Sequence, residues 1–205
     1  MSPILSFEWS FIVSLITFAV TMTGTPGPNN LMVTASGANF GYRRTVPHML
    51  GIGCGLVSMI LLVAAGLGVI FVQVPILHDG LRWLGSGYLL YLAWKIGVSS
   101  SGLTDTEQEA KPMSFMAAAI FQYVNPKAWM MSVTAISTFT FSGELYWYSV
   151  MAIAAIFFFV CYPCVSLWAG FGLFIRRWLA QAKTRKIFNG LMGVLTAGCV
   201  VMIWQ

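Results

Sequence analysis

Apolar stretches of about 18 residues or more recur along this chain, and each is long enough to cross a hydrocarbon core roughly 30 Å thick as a helix. Six can be read: Trp9 to Phe40, Val46 to Val72, Leu81 to Val98, Met113 to Phe141, Leu145 to Ile175 and Ile187 to Trp204. Only 8% of the 205 residues are charged while 58% are hydrophobic, against about a quarter charged in an ordinary soluble domain. A water-soluble fold of this composition could not cover its own surface. Inside lipid the backbone must satisfy its own hydrogen bonds, so only helices or a closed barrel can span. The alternating segments of roughly ten residues that barrel strands require are missing, which leaves an all-α integral membrane protein with six transmembrane helices. No basic residue precedes the first run, and that run continues into a segment with functional features, so it reads as a retained helix rather than a cleaved leader.

Lysine and arginine near span ends favour the cytoplasmic side. Arg43 and Arg44 follow the first run, Lys95 and Lys111 flank the loop after the third, and Arg176, Arg177, Lys183, Arg185 and Lys186 follow the fifth; only Arg82 falls on the other side. Both termini are therefore expected outside the cytoplasm, in the periplasm of a two-membrane cell. The net charge of +5 sits almost wholly at those cytoplasmic ends, so it calls for no nucleic-acid partner. The polar stretch Ser99 to Lys111 reads as a solvated cytoplasmic linker.

That linker divides the chain into two halves of three spans, 1–98 and 113–205, joined by 99–112. An odd number of spans per half turns the second half upside down relative to the first. The first span of each half is interrupted, by Thr25-Pro26-Gly27-Pro28-Asn29-Asn30 and by Asn125-Pro126-Lys127. Broken hydrophobic segments at matching positions of inverted halves point to a transporter's midplane site. In the first break Gly24 suits the end of one half-helix, Thr25 the N-cap of the next and Pro26 its first turn. In the second, Asn125 suits the N-cap and Pro126 the first helical position. Each break would then expose a half-helix N-terminus carrying a partial positive charge near mid-bilayer, where it attracts anions. Taken alone, either break could equally be a proline kink healed by its neighbours.

Lys127 lies near the middle of the fourth span with no charged residue close by in sequence. A lone ammonium at the bilayer centre costs about 2.5–3.5 kcal/mol, so an ionisable residue there is functional by default. A solute carboxylate held by Lys127 and the two helix N-termini is the chemical reading. On that reading, removing the charge should not destabilise the fold.

The segments TPGPNNLMVTASGANFG from Thr25, with the basic pair Arg43 and Arg44 after it, YLLYLAWK from Tyr88, and FQYVNPKAW from Phe121 resemble the lysine-exporter (LysE/RhtB) family of amino-acid efflux proteins. The resemblance extends over essentially the whole chain, and the run KPMSF ahead of the fourth span is similar to the cysteine/O-acetylserine exporter branch. What it implies is export of amino acids or their derivatives across a bacterial inner membrane, driven by the proton-motive force. The implied substrate-binding set is Thr25, Pro26, Gly27, Pro28, Asn29, Asn30, Gln122, Asn125, Pro126 and Lys127, with an amino acid and membrane lipid as partners and no cofactor or metal. Whether the chain works alone or as a homo-oligomer is open at this level.

Three further features bear on alternatives. Glu8, Asp79, Glu144, His48 and His78 are read at or outside span ends, so Lys127 is the one central candidate for proton exchange, unless substrate amine protons serve. Cys161 and Cys164 form a Cys-x-x-Cys spacing, which would suit a thiol-redox or metal-transport protein; small apolar packing residues are the plainer reading. An enzyme would need a nucleophile with a base, or metal-ligand spacing, and neither histidine has a carboxylate partner. Gly51, Gly53, Gly55, Gly66, Gly68, Gly170 and Gly172 read as small residues that let helices approach, and Tyr88, Tyr91 and Trp94 as an interfacial belt.

Overall fold

A computed structural model describes residues 3–73, 75–99 and 111–204; most of the Ser99 to Lys111 linker lies outside the described residues. Every described element is helical, as the barrel argument requires. The first run is α1 (Pro3–Gly24) and α2 (Pro28–Phe40), bent by 59° at the break between them. α3 (Tyr42–Leu62) runs into a π-helical turn, Val63–Leu67, and then α4 (Gly68–Gln73). The bend there is made by Gly66, whose φ of 111° is a conformation that a side chain would strain. Tyr146 Oη, 2.7 Å away, donates to the Ala64 carbonyl in that turn.

α5 (Pro75–Gly97) follows. After the linker come α6 (Phe115–Phe121), a 3-10 turn at Gln122–Val124 and α7 (Pro126–Phe139), so the fourth run is broken as expected. α8 (Tyr146–Arg176) and α9 (Ala182–Gly198) complete the chain. Two continuous stretches, Tyr42–Leu67 and Gly143–Leu179, are long and apolar enough to cross a membrane, and the bent pair Trp9–Gly24 and Pro28–Phe40 is so only if taken together as one span. Of the remaining expected spans, the third is the continuous 23-residue α5, the fourth is split into α6 and α7 of 7 and 14 residues, and the sixth is α9 with 17.

Glycine determines how the helices meet. A Cβ on Gly172 of α8 would lie 2.9 Å from the Ala38 nitrogen of α2 and closer still to the Thr34 carbonyl oxygen, while one on Gly37 would overlap the Ala169 carbonyl from the opposite side. Thr34 Oγ1 also reaches the Trp168 carbonyl at 3.2 Å. The same logic holds α3 against α6, where a Cβ on Gly55 would come within 2.6 Å of the Ala119 oxygen and one on Gly51 would overlap Phe115. Gly170, expected to share the packing face, meets nothing within 4 Å, because it sits on the flank of α8 that turns away from α2. Around these seams lies the apolar core, including Leu15, Met49, Ile52, Leu56, Ile153 and Phe157, all 2% exposed or less.

The basic residues gather at one end. Asn39 at the foot of α2 and Asn189 of α9 exchange side-chain amide hydrogen bonds, and Asn189 also donates to the Ser99 carbonyl beyond α5. A Cβ on Gly41 would lie 2.8 Å from Arg176. At the opposite end Arg82 and Trp83 of α5 face the Trp204 ring, and the Trp204 indole donates to Ser86.

Candidate functional site at the paired helix breaks

The two breaks, about a hundred residues apart in sequence, touch. Lys127 Nζ donates to the carbonyl and hydroxyl oxygens of Thr25, each at 2.9 Å, and approaches the Pro26 carbonyl at 3.4 Å. Asn29 and Gln122 form a reciprocal amide pair, with Asn29 Nδ2 donating to Gln122 Oε1 at 2.8 Å and Gln122 Nε2 to Asn29 Oδ1 at 3.2 Å. A local symmetry runs through these contacts. Asn29 and Lys127 each follow the proline that starts the second half-helix of their own run. Each reaches the residue just past the end of the other run's first half-helix, Gln122 after α6 and Thr25 after α1.

Hydrogen-bond accounting explains the polar residues one by one. A helix end leaves four carbonyls without partners, and in a membrane no water can take them. At the end of α1, Asn30 Nδ2 donates to the Thr23 and Thr25 carbonyls at 2.9 and 2.7 Å, and the Trp168 indole donates to Gly24 at 3.0 Å. In the second break the Trp129 indole donates to Tyr123 at 2.8 Å. Asn125 caps α7 by accepting from the Lys127 backbone N–H, and Pro126 is the first helical residue. Trp168 sits in an apolar helix with no polar pattern to mark its indole, and Trp129 is marked in the sequence only as the end of the FQYVNPKAW segment.

Two expectations change. The cap of α2 is Gly27 with Pro28 as first residue, in place of Thr25 and Pro26, because Thr25 is drawn to Lys127. Lys127 itself spends its ammonium protons on the end of α1. A cation there complements the partial negative charge of a helix C-terminus, so its removal would strand carbonyls rather than relieve a buried charge.

All ten expected residues thus converge on one joint. Gly27, Pro28, Asn29, Asn30, Asn125 and Lys127 line a cavity of about 20 Å³, walled on the other side by Met22, Ile52, Leu56, Met131, Cys161 and Val165. That volume holds about one water molecule, so the joint is closed in this structure. No side chain caps α2, leaving its first-turn N–H groups and Lys127 to face the same space. Cys161 and Cys164 are free thiols one turn apart on α8, both buried. Among the described residues no group of three or more metal-ligating side chains occurs.

A larger cavity of about 680 Å³ opens at the basic end, lined among others by Met32, Ser36 and Asn39 of α2, His48 of α3, Tyr88, Tyr91 and Lys95 of α5, and Lys111. Tyr88 therefore faces a cavity and packs on Phe121 at 5.5 Å, although an interfacial belt was expected of it. His48, near the start of α3, is inside the fold at 1% exposure, with neither ring nitrogen hydrogen-bonded.

Residues 20–203 match the family described as LysE type translocator. A "Cysteine/O-acetylserine efflux protein" of Shigella flexneri is 36% identical over 140 residues, 68% of this chain and 67% of that one. Proteins with the same description from Escherichia coli (strain K12) and Escherichia coli O6:K15:H31 are 35% and 34% identical over 123 residues, 60% of this chain and 62% of theirs. No solved structure matches this chain significantly.

Proposed function

The chain belongs to the LysE type translocator family, and from that membership and the geometry of the paired breaks we propose that it exports a small amino acid or amino-acid derivative from the cytoplasm. The carrying observation is the contact of Lys127 with Thr25 across the two breaks. In the proposed cycle the solute carboxylate takes over the Lys127 ammonium and the N–H groups at the start of α2, while Asn29, Gln122 and Asn125 bind its polar atoms. Because the same ammonium holds α1 to α7, substrate binding exchanges an inter-break contact for a solute contact and frees the halves to move. This couples occupancy to opening. The relatives' description favours cysteine or O-acetylserine as cargo.

Further parts of the reading extend the same frame. Six spans form two inverted repeats, 1–98 and 113–205, joined by the cytoplasmic linker 99–112. The reciprocal Asn29–Gln122 and Lys127–Thr25 contacts are what an inverted pair would make. The clustering of Lys95, Lys111 and the Asn39–Asn189 pair at one end supports a cytoplasmic assignment for that end, with both termini on the far side of a bacterial inner membrane. The proton-motive force supplies the energy.

Efflux from proteoliposomes loaded with labelled amino acids, with and without an acidic exterior, tests the function. O-acetylserine and cysteine are expected to leave faster than lysine, and faster still into acid. Transport of no amino acid in the panel would overturn the export reading. Orientation has its own check. Impermeant thiol reagents added outside cells should label single cysteines placed at the exposed Asp79 or Glu144 and spare those at Lys111 or Lys183; the reverse pattern would invert the topology.

A further inference from the structure

His48 is buried with both ring nitrogens lacking a partner, and a native fold that leaves such a group gives it a functional role, a strain or a bound water or ion. Its place in the fold narrows what that is. It lines the large cavity at the basic end, and Ile52, one helical turn further along α3, lines the small cavity at the breaks. Across from it on α2 the same succession runs from Asn39 and Ser36 through Met32 to Asn29. His48 therefore stands between the two cavities.

The ionisable groups around it are few. α5 contributes Tyr88, Tyr91 and Lys95, the segment before α6 contributes Lys111, and α2 contributes Ser36 and Asn39, which do not ionise. From α8, Tyr162 lines a separate cavity together with Met49, Leu50 and Gly53 of α3, and Cys161 lies at the small cavity. Among the described residues none of these is a carboxylate, so an imidazolium at His48 would meet lysines and Arg44 but no described counter-charge.

We propose that His48 is a proton-binding site of the transport cycle: it carries a proton on its ring nitrogen when the breaks are open to the outside, and gives it up into the cavity at the basic end in the conformation described. The inference rests on the export reading and deepens it. The step is a simple transfer: water on the outer side yields a proton to the imidazole nitrogen lone pair, and water on the cytoplasmic side takes it back. Lys127 is then left to the solute, and the two ligands of an antiporter have separate groups between adjoining cavities.

The test separates coupling from transport. With O-acetyl-L-serine as the probe, parent proteoliposomes should both exchange labelled for unlabelled solute and accumulate it against a one-unit pH gradient by up to about tenfold for one proton per solute. His48→Gln keeps a donor and an acceptor but no titrating nitrogen; it should exchange at the parent rate and accumulate nothing. Accumulation by His48→Gln, or loss of exchange along with it in both His48→Gln and His48→Asn, would overturn the proposal while leaving export standing. The chain has 2 histidines, so nitrogen NMR of labelled protein in nanodiscs, with His48→Gln giving the assignment, reads the site directly. If the parent moves no amino acid, export falls instead, and His48 is judged by this spectrum: a protonated His48 signal that grows as the outside-open state is populated at falling pH supports a proton site, and a signal that stays neutral in that state as well overturns it.

Discussion

Gly172→Ala is expected to destabilise the protein by about 1–3 kcal/mol, while Gly170→Ala, two residues away on the same helix, costs nothing measurable. The difference follows from what one methyl group meets. At Gly172 it would overlap the Thr34 carbonyl and crowd the Ala38 nitrogen, both backbone atoms of α2 that cannot rotate aside; at Gly170 it would meet open space. Thr34, Gly37 and Ala38 belong to the half-helix whose first turn faces the small cavity. Pushing α2 off α8 therefore also displaces Asn29 from Gln122 and the Gly24 carbonyl from Trp168, so efflux should fall with stability. Gly172→Leu, with three more heavy atoms, should leave no folded protein to assay. The measurement is melting temperature in detergent together with efflux per folded molecule. Equal melting of the two alanine variants would mean that the α2–α8 seam is looser than described.

The same seam shows what a sequence can and cannot reveal. Breaks at Thr25–Asn30 and Asn125–Lys127 are legible because proline and asparagine act locally: the cap at Asn125 and the first position at Pro126 depend only on nearby backbone. Which of Pro26 and Pro28 begins α2 is not legible, since either satisfies the local rule and the choice is made by Lys127 reaching Thr25 from the other half. Glycine spacing marks a packing face, but Gly170 and Gly172 differ only in which way α8 faces, a fact held by the rest of the fold. The roles of His48 and the two capping tryptophans were missed for a related reason. Their significance lies in unpaired nitrogens or in carbonyls of a distant break, and neither is written near them in the chain.

Lys127→Met is expected to lower efflux about ten- to a hundredfold, as the loss of a charged hydrogen bond worth roughly 1.5–3 kcal/mol implies. It should also lower stability, contrary to what a lone buried charge would suggest. In the resting joint the ammonium serves three oxygens at the end of α1. The Thr25 carbonyl keeps Asn30 as a donor, but the Pro26 carbonyl and the Thr25 hydroxyl, both on exposed residues, lose theirs, and the lost charged hydrogen bonds should cost about 1 kcal/mol or more where lipid leaves them no other donor. A drop in melting temperature therefore accompanies the transport loss and does not by itself identify a binding residue. Lys127→Arg keeps the charge and can still reach the α1 carbonyls, so it should recover most of the stability. Its planar fork fits a site shaped for a compact ammonium poorly, and efflux should recover less. The discriminating measurement compares an amino acid with its decarboxylated amine in each variant. The parent should prefer the amino acid, Lys127→Met should lose most of that preference, and Lys127→Arg should keep part of it. If Lys127→Met discriminates as strongly as the parent, the carboxylate is read elsewhere, and Lys127 is only the clasp that holds the two breaks together.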